Sequence, residues 1–145
     1  MGVDLSSPIL IVDDTVSVRR ILTSLVKRIG FTKVDVADDG TDALFKLGAR
    51  KYGLVISDWQ MQPMDGYALL KAMRSDKALE EIPFIMITVH SEIEKVVAAR
   101  NAGVNGFISK PFTAKTLRDK IVQAWEYRPR QSNSALQAPD ALDWL

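Results

Sequence analysis

Apolar and polar positions alternate in blocks from Pro8 to Tyr127. Pro8–Val12 is a short unbroken apolar run, the pattern of a strand buried on both faces. Residues 15–29 then set Val18, Ile21, Leu22, Leu25, Val26 and Ile29 at helical spacing, and Gly30 supplies the stop. Val34–Ala37 reads as a second strand. Ala43–Leu47 reads as a short helix entered through Asp38-Asp39-Gly40 and Thr41. Leu54–Ser57 is a third strand, and Tyr67, Leu69, Leu70 and Met73 mark a helix after Gly66. Phe84–Thr88 is a fourth strand, followed by a less hydrophobic helix over Ser91–Asn101. Gly106–Ser109 is a fifth, ending at Lys110-Pro111, and Thr113–Tyr127 is the last helix, with Leu117, Ile121, Val122 and Trp125 on one face.

Five strands alternating with five helices at such short spacings imply parallel β/α/β units, because each parallel return needs a crossover. The units are too few for an eight-fold barrel. An α/β, doubly wound five-stranded parallel sheet remains, and the flavodoxin-like strand order 2-1-3-4-5 is its common solution. Residues 1–7 form an arm, 8–127 the folded domain, and 128–145 a flexible tail. Pro129, Ser132, Asn133, Ser134 and Pro139 break any regular pattern in that tail, which carries a small apolar end at Leu142, Trp144 and Leu145.

Composition narrows the function. The chain has 145 residues, 47% hydrophobic and 26% charged, enough for one domain with a sizeable core. A net charge of +1 without long runs of one sign argues against a general nucleic-acid binder. The absence of Cys excludes a disulfide scaffold, thiol catalysis and Cys-ligated zinc, and the single His, His90, removes multi-His metal sites. No signal-peptide pattern opens the chain and no apolar stretch is long enough to span a bilayer. The expectation is a cytoplasmic, monomeric domain that contacts neither nucleic acid nor membrane.

In an open parallel sheet, ligands bind outside the carboxyl ends of the strands. There lie Asp13 and Asp14 after the first strand, Asp58 after the third, Thr88 at the fourth and Lys110 after the fifth. Neighbouring first and third strands bring three carboxylates together, and such a group repels itself unless a cation intervenes. Oxygen ligands in a partly open site suit Mg²⁺, which keeps several waters. Taken singly, each residue has a plainer reading: Asp13 or Asp14 as a helix cap, Asp58 as a loop residue, Thr88 as a strand-end hydroxyl, Lys110 as a solvated charge. Their coincidence at separate strand ends is what points to chemistry.

Ile9–Asp14 (ILIVDD), Val55–Gly66 (VISDWQMQPMDG), Met86–Thr88 (MIT) and Gly106–Phe112 (GFISKPF) resemble, in order, the motifs of the receiver domain of two-component response regulators, in particular its chemotaxis branch. The resemblance covers residues 8–127. It implies that Asp58 is the phosphoacceptor, and that Asp13, Asp14, Asp58 and the main-chain carbonyl of Gln60 organise one Mg²⁺. It implies that Thr88 and Lys110 contact the phosphoryl group and that Phe107 occupies an aromatic switch position, otherwise a plain core aromatic. It further implies a histidine kinase or phosphotransfer domain as donor, output through helix 4, strand 5 and helix 5, a flagellar switch protein as the favoured partner, and a phosphatase as a further one. Phosphorylation and dephosphorylation would be autocatalysed, so the chain would be a phosphoacceptor rather than an enzyme.

The chain departs from the family pattern at three places. Gln62 stands where the family has Pro, with Pro63 after it, so the loop beside the metal site is expected to differ in shape. Val89 follows Thr88 where a small residue is usual, and its branched side chain is expected to narrow access to Asp58. Gln60 and His90 occupy variable positions expected to tune the phosphoryl lifetime, with a solvated helix-start residue as the plainer reading of His90. The Lys110-Pro111 bond is expected to be cis. The tail segment Ser134–Leu145 faintly resembles amphipathic peptides that engage such domains, with docking of Leu142, Trp144 and Leu145 and an incidental apolar end as the two readings. Only 18 residues follow Tyr127, too few for a DNA-binding output domain. Other readings are a phosphate sink or adaptor for a non-flagellar partner, and a Mg²⁺-dependent phosphohydrolase. Against the hydrolase, position 60 offers Gln rather than a second acid.

Overall fold

Every apolar run forecast as a strand joins one parallel sheet in the computed structural model, which describes residues 3–126. The strands are β1 (Ile9–Val12), β2 (Val34–Ala37), β3 (Leu54–Asp58), β4 (Phe84–Thr88) and β5 (Gly106–Ser109). The helices are α1 (Val16–Ile29), α2 (Gly40–Ala49), α3 (Gly66–Arg74), α4 (Ile93–Asn101) and α5 (Ala114–Glu126). The order is β2-β1-β3-β4-β5, as expected for the doubly wound flavodoxin-like arrangement. The tail at 128–145, with Leu142, Trp144 and Leu145, lies outside the described residues.

Alternation along the strands builds two cores. Leu10, Val12, Val55, Phe84, Met86 and Phe107 face one side, where Ala43, Leu47, Leu69, Leu70, Met73, Val96 and Ala99 of α2, α3 and α4 cover them. Ile9, Ile11, Leu54, Ile56, Ile85, Ile87 and Ile108 face the other, under Leu22 and Val26 of α1 and Leu117, Ile121 and Trp125 of α5. Gly30 ends α1 at φ 129°, a conformation that excludes most side chains, and its N–H donates to the Lys27 carbonyl at 3.1 Å.

The helices differ from their sequence patterns in particular places. α2 runs well beyond Ala43–Leu47, because Asp39 caps it by accepting the Asp42 N–H at 2.8 Å and Gly48 continues the helix instead of ending it. α4 starts at Ile93 rather than Ser91. Ile21 and Val122, apolar at near-helical spacing, point outward at 58% and 40% exposure, and Phe45 on α2 is 77% exposed.

Candidate functional site

Register places the chemistry. Val12 pairs with Ser57 and Asp58 with Ile87, so Asp13 emerges from β1 beside Asp58 of β3. Thr88 pairs with Ser109, so Lys110 leaves β5 one step beyond it, and its N–H donates to the Thr88 carbonyl at 2.9 Å. Asp14 begins the turn into α1. The structure thus brings Asp13, Asp14, Asp58, Thr88 and Lys110 to the carboxyl edge of the central strands.

Asp13 is 1% exposed. Its Oδ1 accepts the Thr15 N–H at 2.9 Å, while its Oδ2 has no hydrogen-bond partner. Carboxylate oxygens of Asp13, Asp14 and Asp58 lie within 4.8 Å of one another. Lys110 Nζ stands 3.6 Å from both Asp13 Oδ2 and Asp58 Oδ2, close enough for attraction but too far for a hydrogen bond. A buried oxygen without a donor, in an all-oxygen set with one exposed member, fits a hard divalent cation that retains water. Asp58 is partly buried, and desolvation is the main cause that raises its carboxyl above the ordinary range. Lys110 opposes the shift, Asp13 adds to it, and N–H donation from Trp59 and Gln60 opposes it.

The remaining expected residues sort by position. Thr88 is fully buried, and its Oγ1 accepts the His90 N–H at 3.1 Å. Phe107 is fully buried on the same side of the sheet, paired in register with Met86. Gln60 is exposed. Val89 points outward at 62% exposure, and His90 Nδ1 lies 3.8 Å from Glu92 Oε2. The Gln62–Pro63 and Lys110–Pro111 peptides are both cis, the second as expected.

Several supporting residues lack a signal in the strand-end pattern. Arg19 Nη1 donates to the Asp13 carbonyl at 2.7 Å and lies 3.2 Å from Asp38 Oδ1, fastening α1 to the site. Ser57 Oγ donates to the Asp58 carbonyl at 2.8 Å. Gly66 lies so close that a Cβ there would stand 2.1 Å from the Asp58 carbonyl oxygen. Trp59 donates its N–H to Asp58 Oδ1 at 2.7 Å and accepts the Gly66 N–H at 2.8 Å. Its buried ring stacks on Tyr67 at 5.1 Å and 3°. The Asp-Gly pair at 65–66 signals a tight turn in sequence, but the contact it permits becomes visible only in three dimensions.

Known proteins converge on the same architecture. The family described as response regulator receiver domain matches residues 9–122. The chemotaxis protein CheY of Pseudomonas aeruginosa is 42% identical over 118 residues, covering 81% of this chain and 95% of the relative. The chemotaxis protein CheY-3 of Vibrio cholerae is 44% identical over 118 residues, covering 81% and 91% respectively. Among solved structures, the chemotaxis response regulator CheY4 of Vibrio cholerae superposes with a TM-score of 0.76 at 29% identity, covering 82% of this chain and 98% of that one. A receiver domain of a Pseudomonas aeruginosa sensor histidine kinase, described with a magnesium ion coordinated in its active site cleft, shares the fold at a TM-score of 0.73 and 23% identity, covering 83% and 97%. With its sheet order, its acidic strand ends and these relatives, the chain belongs to the response regulator receiver domain family and is of the CheY type.

Proposed function

We propose that Asp58 accepts a phosphoryl group from a phosphohistidine of a kinase or phosphotransfer domain, and that the domain at 8–127 signals this state by protein–protein contact. The observation that carries the reading is the Lys110 ammonium held between the Asp13 and Asp58 carboxylates, with the buried Asp13 Oδ2 accepting no hydrogen bond. Asp13, Asp14 and Asp58, with the Gln60 carbonyl, would hold one Mg²⁺. When bound, that ion supplies positive charge that offsets the carboxylates and the phosphoryl oxygens.

The chain's own residues do the rest. The Asp58 carboxylate attacks phosphorus, forming a P–O bond as the donor's P–N bond breaks and its electron pair returns to the imidazole, which takes up a proton. The product is an acyl phosphate. Charge spreads over the phosphoryl oxygens during transfer, and preorganised donors stabilise it. Lys110 offers an ammonium on a flexible stem that already points at Asp58. Thr88 offers a hydroxyl whose lone pair is held by the His90 N–H, leaving its proton to donate. Water attack at phosphorus later releases phosphate and restores the carboxylate, with Gln60 and His90 at the rim as tuning residues. Val89, next to Thr88 in the chain, is turned outward.

Output follows from packing. Phosphorylation adds roughly 1.5 to 2 negative charges with strong acceptor oxygens. Thr88, drawn toward them, changes the space beside Phe107, and the face formed by α4, β5 and α5 responds. Ile93 and Val97 of α4 and Val122 of α5 are 40%, 39% and 40% exposed, an apolar complement to a partner surface. The similarity to chemotaxis proteins favours a flagellar switch protein as that partner.

The test uses Trp59, whose N–H bonds the acceptor. Its fluorescence should respond to Mg²⁺ and then to beryllofluoride, and the second response should require the first and disappear in Asp58→Asn. A response that persists in Asp58→Asn, or no Mg²⁺-dependent response at all, overturns the assignment.

A further inference from the structure

Helix α4 is lightly anchored. Val96 and Ala99 are its only fully buried members, both small, while Ile93 and Val97 keep about two-fifths of their surface exposed. Its Lys95 has no carboxylate partner among the described residues. Instead, Lys95 Nζ lies 4.6 Å from the centroid of the Trp59 ring. That ring stacks on Tyr67, and Lys71 Nζ lies 4.7 Å over Tyr67 in turn. A row of cation, indole, phenol and cation therefore runs from α4 across the turn after β3 to α3.

The middle of this row is the residue that touches the acceptor. Trp59 is fastened through its backbone to Asp58 Oδ1 and to Gly66, and through its ring to Lys95 and Tyr67. An ammonium over an aromatic face is attracted by the ring's quadrupole, so Lys95 favours one ring orientation. A fixed ring limits rotation of residue 59 about its backbone, and its N–H stays aimed at the carboxylate. A charge-assisted hydrogen bond is sensitive to that aim.

We propose that Lys95 is a positioning residue for Asp58: lying over Trp59, it holds the N–H that bonds the acceptor and ties α4 to the same turn. This rests on the phosphoacceptor reading above and adds a route between acceptor and output helix. Coupling of this kind is reciprocal. If Lys95 favours the turn that receives the phosphoryl group, occupation of Asp58 must in turn tighten α4.

Two measurements on the full chain test it. Binding of beryllofluoride in the presence of Mg²⁺, followed by fluorine NMR so that Trp59 can be varied, should weaken about three-fold in Lys95→Met. Lys95→Arg keeps a cation over the ring and should restore the wild-type midpoint. In a Trp59→Leu background, Lys95→Met should have no further effect. In the metal-free chain, amide exchange over Ile93–Asn101 should be faster in Lys95→Met than in the wild type or Lys95→Arg. An unchanged midpoint in Lys95→Met, an equal three-fold loss without Trp59, or unchanged α4 exchange overturns the inference. If the wild type itself binds no beryllofluoride with Mg²⁺, the phosphoacceptor reading falls; if it binds normally and Lys95→Met does too, only the role of Lys95 falls.

Discussion

Gly66→Ala and Gly48→Ala add the same methyl group to two helices of this chain, with opposite expected results. At Gly66 the new Cβ would stand 2.1 Å from the Asp58 carbonyl oxygen, 3.0 Å from Ser57 Oγ and 3.1 Å from the Asp58 carbonyl carbon. Ordinary contact begins near 3.4 Å, so the chain must part by about 1.3 Å. The nearest obstacle is backbone, which cannot swing aside as a side chain can. Parting also strains the Gly66 N–H to Trp59 carbonyl bond, now 2.8 Å. Overpacking of this kind costs roughly 1–3 kcal/mol, and a weakened hydrogen bond about 1 more, giving about 3 kcal/mol in all. For a domain of this size that lowers Tm by roughly 12 °C. At Gly48 nothing lies within 4 Å of the new Cβ, so Ala relieves the helix of about 0.5–1 kcal/mol and raises Tm by roughly 2–4 °C. Thermal unfolding by circular dichroism measures both, and a beryllofluoride titration of Gly66→Ala should show the acceptor impaired as well. If Gly66→Ala melts within about 2 °C of the wild type, or Gly48→Ala falls as far as Gly66→Ala, the close approach behind Asp58 is not there.

Arg74 donates to the carbonyls of Gly103, Glu80 and Ile82 and to Asn105 Oδ1, at 3.0, 3.1, 2.9 and 2.9 Å. Burial lowers its pKa to about 10. Arg74→Met strands those acceptors and should cost about 2–4 kcal/mol in denaturant unfolding; a loss under about 1 kcal/mol would show that water replaces the guanidinium readily. Tyr52 donates to Asp35 Oδ2 at 2.6 Å, and burial, then that bond, pushes its phenol up to about 12. Because the folded value lies above the ordinary 10, its stabilisation is full below pH 10 and is lost as pH rises toward 12. Tm should therefore fall more steeply above pH 10 in the wild type than in Tyr52→Phe, and parallel curves would count against it. Burial raises the Asp58 carboxyl, so its ionisation opposes folding above the ordinary carboxylate range. Metal-free Asp58→Asn should then melt higher than the wild type at pH 7, with the gap closing as pH falls through the raised carboxyl value and gone below about 4. Added Mg²⁺ should raise Tm in the wild type more than in the variant, and equal shifts would place the ion elsewhere.

The split between what was readable from residues and what was not follows the geometry of a parallel sheet. A strand buried on both faces must be a nearly unbroken apolar run, so Ile9–Val12 and Phe84–Thr88 stand where their sequence patterns put them. Once the strand order is known, the residue after each strand has one place to go, and Asp13, Asp58, Thr88 and Lys110 meet at one edge for that reason. Helices carry no such constraint. A helix shows its axis through periodicity but not which residue at the boundary of the apolar stripe turns inward, and Ile21 and Val122 turn out to face solvent. The apolar pattern marks α2 only over Ala43–Leu47, yet the Asp39 cap starts the helix at Gly40 and it runs on through Gly48 to Ala49. Arg19 and Lys95 are harder still. Each reaches the site by a long side chain from a helix, so the distance that matters, 2.7 Å to the Asp13 carbonyl or 4.6 Å to the Trp59 ring, depends on how two elements pack rather than on spacing within one. The strand ends therefore set which reaction the pocket can host, while the helices set how firmly its parts are held. The second kind of information is where two chains with the same strand-end residues can differ.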